Sequence, residues 1–249
     1  GLANVISGHS MLMAGREQKA AEAAERQTKL TVELRSCDSR IHLLSELEKE
    51  LEGFSKAAKI VMQESERGTL RGVHGPVGKM IRTEDRCALA VETALGAHVG
   101  DIIVDTQDNG KDIFALLKRR DGGRVTLQPM DVIRPARLNG EPRGEAGYVG
   151  VCSDLVNCDK RYGAVIASLL GRTAVAETLT DAIAIARRHN NSFRIVTLDG
   201  QILNAGGSMT GGSAGKNTGI LSRANELKRL REKRGDLEAQ LSQTESQRR

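Results

Sequence analysis

The cysteines and histidines are the residues best suited to metal or redox chemistry, and their spacing predicts neither. No two of the 4 cysteines form the Cys-x-x-Cys pair that zinc ribbons, zinc hooks and thioredoxin-type sites require. The 5 histidines show no metal-ligand spacing, and no Ser-His-Asp or paired-carboxylate arrangement can be assembled. We therefore expect no catalytic residue, metal site or cofactor in this chain, a structural role for His74, and reduced thiols at Cys37, Cys87, Cys152 and Cys158.

A second candidate for chemistry is Gly211-Gly-Ser-Ala-Gly-Lys216, which is similar to a phosphate-binding loop. That pattern requires a glycine, four residues, then Gly-Lys and a hydroxyl residue that binds magnesium. Thr210 stands at the first glycine position and Asn217 at the hydroxyl position. Two of the defining positions are therefore wrong, and the segment does not predict nucleotide binding.

The basic run Lys118-Arg119-Arg120, with Arg124 close by, is a candidate DNA contact. It falls at the end of a predicted helix, where cations also complement the helix dipole. Both interpretations stay open from sequence, the second being a patch that contacts phosphates. Aromatic residues make up only 2% of the chain, so we expect any DNA contact to be electrostatic, steeply salt-dependent and without base stacking.

The elements that position these residues begin with long helices at each end of the chain. Residues 1–66 are predicted to form an N-terminal coiled-coil arm, because the stretch from residue 16 lacks proline and its apolar residues follow a heptad. The seam is Leu30, Leu34, Cys37, Ile41, Leu44, Leu51 and Ala58. Residues 216–249 are predicted to form a C-terminal arm, capped by Asn217 or Thr218. Its seam, Leu227, Leu230, Leu237 and Leu241, would pair antiparallel with the first arm.

Residues 67–215 are predicted to form a globular α/β or α+β domain of two related halves, 67–140 and 141–215. Each half contains a helix ending in Leu-Gly, a strand, a crossover helix and a second strand. The glycines, Gly96 and Gly171, are expected to be left-handed helix caps. The predicted strands are 101–105 and 124–127 in the first half, and 173–176 and 193–198 in the second. Two related halves allow one half of one copy to bind the other half of a second copy.

The glycine-rich segment after this repeat is the strongest candidate for an interaction site. Leu198-Asp-Gly200 predicts a turn into a short strand over residues 201–203. The pairs Gly206-Gly207 and Gly211-Gly212 then flank Met209. Paired glycines allow two backbones to approach closely or to adopt positive φ. We expect Gly206, Gly207, Met209, Gly211 and Gly212 to form a homodimer interface by pairing of strand edges.

Length and charge are consistent with a one- or two-domain protein. The chain has 249 residues and a formal net charge of +5, which permits an anionic partner without demanding one. No apolar run approaches the roughly 20 residues that a membrane helix needs, and no signal peptide is visible. We also expect the chain to be a piece of a longer protein, because it begins with glycine and ends within a charged helical pattern.

The order of these motifs resembles the hinge domain of SMC (structural maintenance of chromosomes) proteins, most closely the bacterial chromosome-segregation type. The resemblance covers essentially the whole chain and rests on the coiled coils and on the intervening motifs. These are Gly72-Val-His-Gly75, Ala94-Leu-Gly96, Ile103-Val-Asp105, Gly123-Arg-Val-Thr-Leu127, Val196-Thr-Leu-Asp-Gly200 and Gly206-Gly-Ser-Met-Thr-Gly-Gly212. One departure is Leu127, where family members commonly carry an aromatic residue.

The resemblance implies a function. Hinges dimerise through two interfaces that contain the paired glycines, join two coiled-coil arms, and bind DNA with a preference for single strands. The longer proteins condense and segregate chromosomes with ATP and magnesium bound at head domains, interact with kleisin-type subunits, and lie in the cytoplasm on the nucleoid. Three alternatives stay open: a nucleotide-binding α/β domain, a zinc-hook apex, and a monomeric nucleic-acid-binding domain.

Overall fold

The computed structural model describes residues 2–212 and 219–248, and it places helices and short strands as follows. The helices are α1 (Leu2–Lys49), α2 (Lys56–Glu66), α3 (Val77–Met80), α4 (Asp85–Leu95), α5 (Gln107–Arg119), α6 (Gly163–Leu170), α7 (Leu179–Arg188) and α8 (Ile220–Arg248). The strands are β1 (Val73–Pro76), β2 (Ile81–Thr83), β3 (Ile102–Val104), β4 (Leu127–Pro129), β5 (Tyr148–Val151), β6 (Val156–Cys158), β7 (Thr173–Ala176), β8 (Arg194–Thr197), β9 (Ile202–Leu203) and β10 (Met209–Thr210).

The chain divides into a helical unit, Gly1–Glu50 with Glu226–Arg249, and a mixed unit, Leu51–Asn225. In the helical unit, α1 pairs antiparallel with α8 through Leu30, Cys37 and Leu237, which are buried. Ion pairs follow the same register, since Arg40 binds Glu226 at 2.8 Å and Arg234 binds Asp38 at 2.9 Å. The predicted antiparallel coiled coil is therefore confirmed over these residues.

The N-terminal arm is shorter than the predicted 1–66. Leu51 has φ 51° and Gly53 has φ 96°, so the helix stops at Lys49. A new helix, α2, begins where the Ser55 side chain accepts a hydrogen bond from the Ala58 N–H at 3.2 Å. Ala58 and Val61 are buried in the mixed unit and are not part of a coiled-coil seam. The apolar spacing read from the sequence continues past the end of the arm because α2 is a separate amphipathic helix, whose apolar face packs in the mixed unit.

The mixed unit contains the two predicted halves as two sheets. In the first half β3 and β4 are parallel and connected by α5, within the strand order β1-β3-β4. In the second half β7 and β8 are parallel and connected by α7, within the order β10-β9-β8-β7-β5. Both connecting helices have threonine caps: Thr106 accepts from Asn109 N–H and Thr178 from Asp181 N–H, each at 3.2 Å. A third, two-stranded sheet joins β2 to β6.

Each large sheet has an inner and an outer face. Ile103 of β3 and Val196 of β8 point into one central cluster, which α4 and α6 also fill. On the outer faces, α5 and α2 cover Ile102 of β3, and α7 covers Ile195 of β8. Each large sheet thus lies between an outer helical layer and the central cluster, with β4 an edge strand of the first sheet and β10 an edge strand of the second.

Two local predictions need correction. Gly96 has the expected positive φ of 53°, but Gly171 is right-handed, with φ −68° and ψ −13°. Gly171 is required for space, since a Cβ there would lie 1.9 Å from the Ala136 carbonyl oxygen. The strand predicted at 124–127 lies later in the chain, at Leu127–Pro129 (β4). It starts there because Leu127 pairs with Ile102, the first residue of β3. Leu127 forms part of this strand with an aliphatic side chain.

Candidate dimer interface and basic cluster

The glycine-rich segment forms a hairpin at the end of the five-stranded sheet. Met209 pairs with Leu203 and Thr210 with Ile202, in antiparallel register. The reversal uses Gly206 (φ 86°) and Gly207 (φ 94°), conformations that disfavour any side chain. The Gly206 N–H donates to the Asn191 carbonyl at 2.8 Å, which ties the turn to the end of α7. The predicted turn at Leu198-Asp-Gly200 is also present, with Gly200 at φ 84°.

A side chain that sequence reasoning missed holds the outgoing end of this hairpin. The Gly212 N–H donates to Gln201 Oε1 at 3.1 Å, and Gln201 Nε2 donates to the Gly212 carbonyl at 3.3 Å. A Cβ on Gly211 would lie 1.9 Å from Gln201 Oε1. Gly211 is therefore needed to admit the Gln201 amide, whereas Gly206 and Gly212 combine positive φ with open space around them.

The outer edge of β10 is unpaired among the described residues. The Asn204 N–H donates to the Ser208 carbonyl at 2.8 Å. Since backbone groups alternate in direction along an antiparallel strand, Met209 points its N–H and C=O away from β9. Its side chain is 54% exposed. A free backbone edge with an exposed apolar side chain is a site where another strand can add.

A second free edge lies in the first half, at β4. The Ile102 N–H donates to the Thr126 carbonyl and the Met130 N–H to the Val104 carbonyl, both at 2.9 Å. Alternate residues of β4 therefore bond to β3, and the backbone of Leu127 points to the open side. Leu127 is half-buried against the cluster of α2 and α5.

The predicted basic cluster separates into two kinds of residue. Lys118, Arg119 and Arg124 are exposed and have no ion pair among the described residues. Arg120 instead binds Glu64, with Nη1 at 2.7 Å from Oε1. The Glu64 side chain is only 3% exposed and also accepts from Arg67 at 2.9 Å. Hydrogen bonding from Arg120 lowers the pKa of the Glu64 carboxyl below its usual range.

A shallow groove of about 350 Å³ lies between the C-terminal half of α5 and the chain leading into β4. Its apolar wall is formed by Phe114, Leu117 and Val125, and its rim by Lys118 and Arg124. The Phe114 side chain is 52% exposed. Sequence reasoning missed this residue, because the amphipathic pattern of α5 does not show which of its apolar side chains the neighbouring elements leave exposed.

Two of the cysteines are buried and protonated, and His74 is hydrogen-bonded on both ring nitrogens. Burial raises the pKa of the Cys152 thiol to about 12 and raises the pKa of the Cys87 thiol, so both are protonated at neutral pH. His74 Nε2 lies 2.7 Å from Asp105 Oδ1, and its Nδ1 lies 3.2 Å from the Tyr162 hydroxyl. Within residues 2–212 and 219–248, no cluster of metal-ligating side chains occurs.

Some predictions fall outside the described residues. The phosphate-loop positions from Ser213 to Asn217, the Asn217 or Thr218 cap and the boundary at 215 all belong to the segment between 212 and 219. Among the helices that the structure describes, none is long and apolar enough to cross a membrane. The assignments of interface and DNA-binding residues stay predictions.

Comparison with known proteins identifies the fold. Residues 70–186 match the family model of the SMC proteins Flexible Hinge Domain. The chain is 34% identical over 198 residues to the chromosome partition protein Smc of Halothermothrix orenii and 34% over 205 residues to that of Bacillus subtilis, covering 78% and 80% of this chain. It spans only 16% and 17% of those two proteins.

A solved structure matches along almost the whole chain. It is the asymmetric dimer of the Geobacillus stearothermophilus SMC hinge domain, with a TM-score of 0.83 and 32% identity over 94% of this chain and 95% of that one. The match includes the long helices as well as the mixed unit. The chain belongs to the family of SMC hinge domains.

Proposed function

We propose that this chain is the homodimerisation hinge of a longer chromosome-partition protein and that it joins two coiled-coil arms. The observation that carries the proposal is the pair of free sheet edges, β10 in the second half and β4 in the first. The dimeric structure of the Geobacillus stearothermophilus hinge supports it. By the same relationship, ATP, magnesium and kleisin-type subunits would bind the longer protein outside this chain, which would act on the nucleoid.

The two edges suit a symmetric dimer with two contacts. In a two-fold dimer, a contact between one surface of the first copy and a different surface of the second copy is repeated by symmetry with the copies exchanged. The dimer therefore contains that contact twice. If β10 of one copy adds to β4 of the other, the β10 and β4 edges of both copies are used and the assembly closes. The outward backbone groups of Met209 and Leu127 are then the first to pair, and neither β10 nor β4 is left free to recruit a third copy.

The glycines favour this contact through their conformation. Gly206 and Gly212 have φ 86° and 142°, and no atom outside their chain neighbours lies within 4 Å of a Cβ built on either. Alanine at these positions therefore costs backbone strain and places a methyl group on the surface that the second copy approaches.

The test is a mass measurement with a matched control. Sedimentation equilibrium should give twice the chain mass for the unmodified protein and a shift to monomer for Gly206→Ala/Gly212→Ala. The control is Gly140→Ala/Gly144→Ala, since these glycines also have positive φ, 69° and 81°, and open space around them. The control also places alanine at positive φ, and we expect its mass to be unchanged. A monomeric unmodified chain, or a fully dimeric first variant, contradicts the proposal.

Nucleic-acid contact is the second function we propose for the same domain. The supporting observation is that Lys118, Arg119 and Arg124 are exposed and unpaired within the described residues. Such cations contact phosphates without reading sequence. Titration with single- and double-stranded oligonucleotides at several salt concentrations tests both the contact and the expected preference for single strands.

A further inference from the structure

The mixed unit leaves few large apolar side chains exposed, and they lie in different halves. Among its described residues these are Phe114, Val132 and Met209. Phe114 forms a wall of the groove beside β4, and Met209 projects from β10. A groove on one half and a projecting side chain on the other are the two parts of a contact that a second copy would make twice.

The faces of the two strands agree with this pairing. Met209 lies opposite Leu203, which packs under α7 on the outer face of its sheet. Leu127 lies beside Ile102, which packs under α5 on the outer face of the other sheet. When two sheets join edge to edge, each face of one becomes continuous with a face of the other, and the relative direction of the two edge strands decides which faces meet. The pairing that we infer is the one that makes the two outer faces continuous. In that pairing Met209 falls on the side of β4 that α5 covers, where the groove lies.

We infer that the groove formed by Phe114, Leu117 and Val125 receives Met209 of the partner subunit. This inference rests on the proposed homodimer and names the side chains that anchor it. An unbranched thioether adapts to an irregular apolar groove and makes favourable sulfur–aromatic contacts with a phenylalanine ring. The groove, about 350 Å³ and open to solvent, is large enough for one such side chain.

The charges around the two parts are compatible. Lys118 and Arg124 form the rim of the groove, while the residues flanking Met209 are Ser208 and Thr210, which are neutral. Polar rims around an apolar centre are the common arrangement of protein interfaces, with the centre providing most of the affinity. The cations stay at the periphery, where they keep contact with water or with phosphates.

Cross-linking tests the contact directly. The variant Met209→Cys/Phe114→Cys, treated with a short bis-maleimide, should yield a covalent species of twice the chain mass. The controls are Met209→Cys alone, Phe114→Cys alone and the unmodified chain. All three carry the 4 native cysteines and should remain uncross-linked. A double variant that is dimeric by sedimentation and does not cross-link overturns the inference but leaves the proposed dimer standing.

Affinity measurements supply a second, independent test. Met209→Ala and Phe114→Ala should each raise the dimer Kd about a hundredfold, because about tenfold is lost at each of two equivalent contacts. Met209→Leu should have a much smaller effect. Both positions are exposed in one copy, so circular dichroism should show unchanged folding. If Phe114→Ala leaves the dimer Kd unchanged but weakens oligonucleotide binding, the groove binds a nucleobase and the inference is wrong. If the unmodified chain is monomeric, the proposed function itself fails.

Discussion

Gln201 and Gly212 are joined by two hydrogen bonds between one side-chain amide and one backbone unit, at 3.1 and 3.3 Å. Just beyond β10, the Gln201 side chain makes the hydrogen bonds to the Gly212 N–H and C=O that a neighbouring strand would otherwise make. It thereby fixes the direction in which the backbone leaves the edge that we propose to be the dimer contact. Gln201 is a positioning residue for that edge.

Replacing Gln201 should weaken dimerisation without unfolding the domain. In Gln201→Ala the Gly212 backbone becomes free, and ordering one residue on association costs about 1–2 kcal/mol. Because the dimer has two such contacts, its Kd should rise roughly thirtyfold or more. Gln201→Glu, which retains an acceptor and loses the donor, should show an intermediate value. Sedimentation equilibrium is the measurement, with exposed Gln107→Ala as the control; equal Kd values for Gln201→Ala and the control would remove this role.

Two glycines near α6 should respond oppositely to alanine. At Gly171 a Cβ would lie 1.9 Å from the Ala136 carbonyl and 2.4 Å from the Ala167 carbonyl, both backbone atoms that cannot rotate away. At Gly163, the first residue of α6, nothing lies within 4 Å. Gly171→Ala should therefore destabilise by several kcal/mol, as overpacking does, whereas Gly163→Ala should stabilise by about 0.4–1 kcal/mol. Urea unfolding measures both, and a tolerated Gly171→Ala would contradict the packing at Ala136.

Charge reversal should have different effects on the exposed cations of the basic cluster and on Arg120. Lys118→Glu/Arg119→Glu/Arg124→Glu should weaken oligonucleotide binding with little change in stability. On single strands it should reduce the slope of log K against log salt by about two, since each phosphate contact contributes about 0.7.

Charge reversal at Arg120 should act differently. Arg120→Glu places a second carboxylate against buried Glu64 and should lower the thermal midpoint, because an uncompensated buried charge is costly. If Arg120→Glu is as stable as the triple variant and loses as much oligonucleotide affinity, Arg120 belongs to the DNA-binding group after all.

Glu64 should make the fold sensitive to acid. Its folded-state pKa lies below the ordinary value of 4.5, chiefly through the hydrogen bond from Arg120. A lowered folded pKa contributes stability that is present above the unfolded pKa and disappears as the pH falls through the folded one. Glu64→Gln should therefore be less stable than the unmodified chain at pH 7 and differ less from it near pH 3. Glu66→Gln, an exposed change on the same helix, is the control; identical pH profiles for the two variants would contradict this assignment.

The repeated β3-α5-β4 and β7-α7-β8 units could be predicted from sequence because their signals are local. Apolar runs bounded by turn residues need no tertiary information. The sequence predicts the helical stretches at 110–120 and 180–189, and the structure begins both helices earlier, after the caps Thr106 and Thr178. The limit of the N-terminal arm could not be predicted, because Ala58 continues the heptad into α2. Only the cluster formed with α5 shows that this face is buried within the mixed unit.

The candidate site was predictable in its backbone and not in its side chains. Glycine pairs around Met209 indicate an unusual strand from composition alone. The contact of Gln201 with Gly212 depends on the register of the β9–β10 hairpin, and the exposure of Phe114 depends on which part of α5 the sheet covers. Glu64 carried a signal, since it shares the buried face of α2 with Val61, but its partner Arg120 is distant in sequence.

The placement of β10 and β4 in opposite halves has a mechanical consequence for a dimer built on them. When one of the two contacts separates, the other keeps the copies tethered, so the broken contact re-forms at a high effective concentration instead of by a new collision. Such a joint can part on one side under load and reseal without exchanging subunits. The lifetime of the dimer then greatly exceeds the lifetime of either contact alone.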